Sequence, residues 1–198
     1  MTLMNLASIR LRTRAEGPGL RIAIWFQGCR RACPGCCNPE MQPLTACHLV
    51  PLDALTKRLD QEIKASPDIE GISLIGGEPV LQPAGAAGLA RWAKTRGKTV
   101  LLFTGFLYEE LRALPDEDVQ ELLSHTDLLV DGPFLQEQPD TRRSFIGSKN
   151  QRLWRLTDAY PEGIEYQGAN HAMELRIKDH TIEVNGWPFD AATSYEPV

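Results

Sequence analysis

Four short apolar runs predict β-strands that are covered on both faces. The runs are rich in leucine and β-branched residues and lack the alternation of a half-exposed strand. They cover residues 21–27, 71–75, 99–103 and 127–130. Alternating apolar and polar positions at residues 7–14 predict an antiparallel strand before the first run. The same alternation at 173–177 and 181–184 predicts a C-terminal hairpin around Lys178-Asp179-His180.

Leucine spacings of three and four residues predict helices between these strands. One such pattern runs through residues 52–63 behind Pro51, which suits a helix start, and an alanine-rich segment at 83–95 predicts a second helix. Shorter helices are predicted on either side of Pro115. Strands that alternate with helices imply right-handed βαβ units, so we predict an α/β fold with mostly parallel strands. Residues 136–149 are polar and rich in turn formers, which predicts a mobile loop.

A glycine-bearing loop follows each of the four apolar runs. In parallel sheets, ligands bind beyond the carboxyl ends of the strands, which all lie at one edge. Four such loops in succession therefore predict one shared site. The loops are Gly28-Cys29, Gly76-Gly77-Glu78-Pro79, Thr104-Gly105 and Asp131-Gly132-Pro133.

Three cysteines in the first loop are spaced as ligands of an iron–sulfur cluster. Cys29, Cys33 and Cys36 are close enough on one loop to wrap a single cubane. Three thiolates on a four-iron cluster leave one iron open to an outside ligand, as catalytic zinc sites keep an open position. Cys37 is expected to line the site, with a fourth-ligand role as the alternative. A zinc site that uses Cys47 or His48, and a redox dithiol, are the remaining alternatives.

Composition narrows the class of protein. The 198 residues are 42% hydrophobic and 24% charged, which is typical of one soluble domain, and the net charge of −5 argues against nucleic-acid binding. The sequence has neither a basic, apolar secretory start nor a run long enough to span a membrane, so we expect a cytoplasmic protein. In that reducing compartment, clustered cysteines favour metal binding over disulfides. Arginines near the N-terminus form either a solvated surface or a basic mouth beside the cysteines; they are Arg10, Arg12, Arg14, Arg21, Arg30 and Arg31.

The cysteine spacing, followed by Gly76-Gly77-Glu78-Pro79, resembles the radical S-adenosylmethionine superfamily. The segments Gly17-Pro18-Gly19-Leu20-Arg21, Gln27-Gly28 and Asn38-Pro39 are similar to those of the activating proteins of anaerobic ribonucleotide reductases, which are small activases of glycyl radical enzymes. The resemblance covers roughly residues 5–156. Those activases commonly have a tyrosine directly after the third cysteine, where this chain has Cys37.

The resemblance implies a partial (βα) barrel of radical S-adenosylmethionine type over residues 1–157. Residues 158–198 are then an extension whose hairpin packs on the same domain. The resemblance further implies a 4Fe-4S cluster on the three cysteines and S-adenosylmethionine at the open iron. Implied cofactor contacts are Gly35, Cys37, Gly76, Gly77, Glu78, Pro79, Thr104 and Asp131, with Asn150 and Gln151 as further candidates.

The implied reaction is reductive cleavage of S-adenosylmethionine to a 5′-deoxyadenosyl radical. That radical would take a hydrogen atom from a glycine of a partner glycyl radical enzyme, with no catalytic side chain beyond the cluster and cofactor. A flavodoxin- or ferredoxin-like protein would supply the electron. Two alternatives stay open: a radical enzyme that modifies a small molecule, nucleotide or peptide, with the C-terminal tail as its specificity element, and an electron-transfer protein with a closed cluster.

Overall fold

A seven-stranded sheet forms the centre of the computed structural model, which describes residues 2–167, 172–178 and 181–186. Its strands are β1 (Leu3–Thr13), β2 (Arg21–Phe26), β3 (His48–Pro51), β4 (Gly71–Gly76), β5 (Thr99–Phe103), β6 (Leu128–Asp131) and β7 (Arg152–Arg155). The spatial order is β3-β1-β2-β4-β5-β6-β7. Strands β2, β4, β5 and β6 are parallel, and β1, β3 and β7 are antiparallel to their neighbours. The outer strands β3 and β7 do not pair, so this sheet is open.

Helices cover one face of the sheet. They are α1 (Leu52–Ala65), α2 (Pro83–Lys94), α3 (Tyr108–Ala113) and α4 (Glu117–Ser124), with short 3-10 turns at Pro39–Met41, Pro79–Leu81 and Ile164–Tyr166. Leu55 and Leu59 of α1 pack into the larger hydrophobic core, together with Ile22, Ile24 and other apolar residues of the parallel strands. No helix within the described residues is both long and apolar enough to span a bilayer.

The opposite face of the sheet carries a smaller core. Leu101, Leu128 and Val130 of the sheet pack there with Ile146 and Tyr160, which come from the chain on either side of β7. The α/β fold with parallel central strands agrees with the sequence pattern. The short strands β3 and β7 were not predicted, and β1 begins earlier than the alternation suggests.

Arg21 is fully buried at the amino end of β2, the end opposite the cysteine loop. Its guanidinium donates hydrogen bonds to the Tyr160 hydroxyl (2.6 Å), Ser73 Oγ (2.9 Å) and the Pro18 carbonyl (3.1 Å). Burial lowers the pKa of Arg21, against the influence of Tyr160. A buried charge persists where hydrogen bonds satisfy it. Arg21 therefore stabilises the sheet and is not part of a basic surface beside the cysteines.

Residues 136–149 form a loop with internal hydrogen bonds. Asp140 is buried, and its carboxylate accepts hydrogen bonds from the backbone N–H groups of Arg142 (2.9 Å) and Arg143 (3.0 Å) and from Arg143 Nε (2.7 Å). Burial alone would raise the pKa of Asp140, but these donors outweigh it and lower the pKa to about 2. The polar residues that predicted a mobile loop thus form hydrogen bonds with one another.

The C-terminal hairpin consists of β8 (Met173–Lys178) and β9 (Thr181–Gly186), which form a separate antiparallel sheet. This confirms the predicted hairpin; Asp179 and His180 of its predicted turn, and residues 187–198 of the predicted extension, lie outside the described residues. Side chains of the hairpin bind the end of β1 and the chain after it. Asn185 Nδ2 donates to Thr13 Oγ1 (2.7 Å), and the Arg14 N–H donates to Glu174 Oε1 (2.7 Å).

Candidate cofactor site

A cavity of about 460 Å³ opens at the carboxyl ends of the parallel strands. The loops after β2, β4, β5 and β6 all contribute to its wall, as expected of strands that end at one edge of a sheet. Cysteines form one end, and the hairpin forms part of the wall. Predicted site residues that line the cavity are Cys29, Cys33, Cys36, Cys37, Gly76, Gly77, Glu78, Thr104 and Gln151.

The three predicted cluster ligands are half-buried, free thiols on the loop after β2. Backbone N–H groups point at two of their sulfurs: Arg31 donates to Cys29 Sγ (3.4 Å) and Asn38 donates to Cys36 Sγ (3.4 Å). A hydrogen bond with Cys37, helped by the Asn38 N–H, lowers the pKa of Cys36 to about 6, whereas burial raises the pKa of Cys29. N–H donors favour a thiolate, which is the form that binds iron.

The other two cysteines differ in position. Cys37 is exposed and lines the cavity, and its hydrogen bond with Cys36 raises its pKa. Cys47 and His48 are exposed and do not line it. In the described part of the chain, no three His, Cys, Asp or Glu side chains converge on a single-ion position. Cys47 and His48 thus lie away from the cavity, and Cys37 is the fourth cysteine that borders it.

The last residue of β4, Gly76, and the glycine after it hold the following loop against the cysteine loop. Gly76 has φ +108°, and a Cβ there would lie 2.7 Å from the backbone nitrogen of Phe26. A Cβ at Gly77 would clash with the Gly28 carbonyl, to which the N–H of Glu78 donates a hydrogen bond of 2.9 Å. Only glycine permits backbones to approach this closely. These glycines join the first two strand-end loops into one wall.

The Glu78 carboxylate joins the second loop to the third. Glu78 is 1% exposed; its Oε1 accepts from Thr104 Oγ1 (2.9 Å) and the Val80 N–H (3.1 Å), and its Oε2 accepts from the Gly105 N–H (2.8 Å). Burial raises the pKa of Glu78, and these three hydrogen bonds act in the opposite direction. A carboxylate has about four acceptor positions, so one is left over on a residue that lines the cavity.

Four predicted residues do not line the cavity. Asp131 is fully buried, and its carboxylate accepts from the Tyr108 N–H (2.7 Å) at the start of α3 and from the Arg152 guanidinium. Asn150 Nδ2 donates to the Pro133 carbonyl (2.7 Å). Pro79 is buried at the start of a 3-10 turn, and Gly35 (φ +69°) leaves the space that Gln136 fills. All four shape the loops around the cavity.

Glu16 lines the cavity and was not singled out from the sequence. Burial, with Glu174 adding to it, raises the pKa of Glu16 to about 7, while the N–H of Gly186 and the charge of Arg10 oppose the shift. Its position directly before the Gly17-Pro18-Gly19 turn is the only local signal in the sequence. Its environment depends on the hairpin, which is distant in sequence.

Arg31 places a positive charge in the cavity wall beside the cysteines. Its guanidinium lies 4.2 Å from the centre of the Phe106 ring, and Nη2 donates to Glu110 Oε2 (3.0 Å). Arg31 Nε is buried and has no hydrogen-bond partner among the described residues. Arg10 lines the cavity as well, and Glu16, Glu40 and Glu78 line it too, so the wall carries groups of both charges.

Comparison with known proteins shows which proteins this chain is similar to in sequence. The family model described as "4Fe-4S single cluster domain" matches residues 15–154. Among curated relatives, a protein of Vibrio cholerae serotype O1 is 35% identical over 151 residues, and one of Enterobacteria phage T4 is 33% identical over 148 residues. A protein of Escherichia coli K12 is 31% identical over 153 residues. Each is named "Anaerobic ribonucleoside-triphosphate reductase-activating protein".

The matched region is nearly the whole of each relative but not of this chain. The matches cover 92%, 88% and 92% of the V. cholerae, phage and E. coli proteins, but only 71–72% of this chain. The family model ends at residue 154, before the hairpin. More than a quarter of the chain therefore lies outside the part it shares with these relatives.

Proposed function

Because the chain belongs to the family of anaerobic ribonucleoside-triphosphate reductase-activating proteins, we propose that it activates an anaerobic ribonucleotide reductase by radical chemistry. The cofactors are a 4Fe-4S cluster and S-adenosylmethionine, both held in the cavity described above. One observation carries the proposal: three cysteine thiols border a cavity to which all four strand-end loops contribute. The open sheet, with helices on one face and the cavity at its edge, supports a partial barrel of the radical S-adenosylmethionine type.

Cys29, Cys33 and Cys36 hold the cluster in this proposal. The N–H donors of Arg31 and Asn38 near two of the sulfurs suit bound thiolates. A cubane is wider than a single ion, so its ligands need not converge on one point. Cys37 stays a cavity-lining residue, which leaves one iron without a protein ligand.

The loops after β4 and β5 hold S-adenosylmethionine. The free acceptor position of Glu78 suits the ammonium group of the cofactor, and a charge-assisted bond there is stronger than a neutral one. Gly76 and Gly77 line the same wall. Thr104 orients Glu78 through its hydrogen bond of 2.9 Å. Gly35, Pro79 and Asp131 do not line the cavity and shape the loops around it.

When bound, the reduced cluster and S-adenosylmethionine would supply the radical chemistry: one electron and one hydrogen atom from a glycine of the reductase would convert the cofactor to methionine and 5′-deoxyadenosine. The chain's part is to bind, orient and exclude water. Trp25, Ile75, Phe103 and Phe145 give the cavity apolar walls, which keep a reactive species away from solvent. A flavodoxin- or ferredoxin-like protein is the electron donor, and the site of action is the cytoplasm.

Electron paramagnetic resonance of the reductase tests this function. The chain is loaded anaerobically with iron and sulfide, reduced, and incubated with S-adenosylmethionine and the reductase of the organism that encodes it. We expect a glycine-centred radical on the reductase. If 5′-deoxyadenosine forms but the reductase gains no such signal, the activase function is wrong.

Single cysteine variants test the ligand set. Cys29→Ala, Cys33→Ala and Cys36→Ala should each lose the visible absorbance and iron content of the cluster. Cys47→Ala is the matched control, because Cys47 is free and exposed but does not line the cavity. Cluster loss in Cys37→Ala, with an intact fold, would instead favour a closed electron-transfer cluster.

A second candidate keeps the radical chemistry but changes the target to a small molecule, nucleotide or other peptide. The hairpin favours it, because Val184 and Gly186 line the cavity and lie beyond the part of the chain that the family model matches. Radical formation on the reductase separates the candidates in the full chain. A loaded, reduced chain that forms 5′-deoxyadenosine but leaves no glycine-centred radical on the reductase favours the second candidate.

A further inference from the structure

The hairpin β8–β9 turns its polar face toward the protein. Glu174 and Asn185, which pair across the two strands, bind Arg14 and Thr13. Arg176 lies on the same face and donates through Nη2 to the Arg12 carbonyl (2.5 Å). Paired residues of an antiparallel ladder share a face, and adjacent residues lie on opposite faces. The other face is therefore turned away from these contacts.

That other face is apolar and exposed. Leu175 pairs with Val184, and the two are 59% and 56% exposed; Ile177 on the same face is 80% exposed and Met173 is 37% exposed. Ten large apolar side chains are exposed in the described part of the chain, and four of them are on this hairpin. A contiguous apolar surface of this kind marks an interaction site more often than scattered exposed residues do.

The apolar face begins at the cavity. Val184 and Gly186 of β9 line the cavity together with Ala172 and with Asn185 of the polar face. Leu175 lies beside Val184 on the neighbouring strand. The face thus continues from the cavity wall to the outer surface at Ile177. A polypeptide that enters the cavity on this side must cross it.

We propose that the apolar face formed by Leu175, Ile177 and Val184 is the docking surface for the reductase segment that carries the target glycine. This inference rests on the proposed function. The continuity of the face with the cavity wall selects this occupant, because the target segment has to reach the cavity while the rest of the reductase remains outside. A few residues that become fully buried near the centre of an interface contribute most of its affinity.

The hairpin lies beyond the end of the family match, so the docking surface is an addition to the common activase core. The reductase that this chain serves should therefore carry a matching apolar surface next to its glycine loop. A reductase without that surface should bind this chain less tightly.

The test compares two serine variants in the full chain. The double variant Leu175→Ser, Ile177→Ser removes the outer part of the face. Leu49→Ser is the matched control, because Leu49 is also a strand residue and is 56% exposed, but it does not line the cavity. Two quantities are measured: the dissociation constant for the reductase of the encoding organism, and 5′-deoxyadenosine formation without reductase.

We expect the double variant to raise the dissociation constant at least tenfold and to leave 5′-deoxyadenosine formation within twofold of the parent. The control should change neither quantity. If the double variant folds poorly, the same two quantities are measured on Ile177→Ser alone. This single variant should fold, because a side chain as exposed as Ile177 contributes little to stability. An unchanged dissociation constant for the reductase overturns the proposal.

Other occupants of the face give different results, and each overturns the proposal. If the parent sediments as a dimer and the double variant as a monomer, a second copy covers the face. If a hydrophobic dye binds only after residues 187–198 are removed, the chain's own C-terminal segment covers it. Absence of 5′-deoxyadenosine from the parent would instead count against the proposed function, so the two failures are distinguishable.

Discussion

Replacing Glu78 by alanine should destabilise the chain even when no cofactor is bound. The Glu78 carboxylate is buried and accepts three hydrogen bonds, from Val80, Thr104 and Gly105. Alanine leaves these three donors without their acceptor. Because the hydrogen bonds join the loops after β4 and β5, the change should loosen one wall of the cavity.

The size of the effect follows from the bonds and from the burial of the charge. A hydrogen bond to a charged group contributes about 1.5–3 kcal/mol, so three would give roughly 4–9 kcal/mol in a dry site. Two effects reduce this sum: burial penalises the Glu78 carboxylate, as its raised pKa shows, and water from the cavity can reach the freed donors. We expect Glu78→Ala to lower the free energy of unfolding by about 3 kcal/mol. Glu78→Gln keeps one oxygen and should cost about 1–2 kcal/mol.

Urea unfolding of the cluster-free chain at pH 7, followed by far-ultraviolet circular dichroism, measures these changes. Glu40→Ala is the control, because Glu40 lines the same cavity but is exposed and should change the free energy of unfolding by less than about 0.5 kcal/mol. Two results would refute this prediction: Glu78→Ala changes the free energy of unfolding no more than the control does, or Glu78→Gln lowers it as much as Glu78→Ala.

Two further predictions concern pH. The pKa of Asp140 is lowered from 3.8 to about 2, so its ionised form stabilises the fold above pH 4, and this contribution is lost as pH falls through about 2; the shift corresponds to about 2 kcal/mol. Asp140→Asn should therefore lose about 2 kcal/mol at pH 7 in urea unfolding and much less at pH 2, where the Asp140 carboxyl is already half protonated. The exposed Asp158→Asn should change little, and equal losses for Asp140→Asn at both pH values would contradict this. The pKa of Glu16 is raised to about 7, so its contribution is present below pH 4.5 and is lost as pH rises through 7. Glu16→Gln should remove that part of the decline in melting temperature between pH 5 and 8, and an unchanged slope would show that Glu16 is not its source.

The parallel strands could be predicted because burial on both faces leaves a continuous apolar run. Strands β3 and β7 have no such signal. The first has two exposed residues of four, and the second has arginine at both ends. Both lie at the edges of the sheet, where pairing with a neighbour determines the structure more than the strand's own sequence does.

The sequence predicted which loops form the candidate site, because the order of strands alone places the four loops at one edge of the sheet. It did not predict which partner a long or charged side chain binds, because those partners are distant in sequence. Arg21 binds Tyr160, Asp131 binds Arg152, and Glu16 contacts the hairpin. The division into residues 1–157 and 158–198 stays a prediction, as do the individual cofactor contacts.

The central claim is that three cysteines hold a cluster with one iron open to S-adenosylmethionine. Formation of 5′-deoxyadenosine tests this claim most directly. The full chain is loaded anaerobically with iron and sulfide, its iron content is measured, and it is reduced and mixed with S-adenosylmethionine. We predict 5′-deoxyadenosine and methionine in equal amounts from the loaded chain and neither product from Cys33→Ala treated in the same way. A fully loaded, reduced chain that forms no 5′-deoxyadenosine contradicts it.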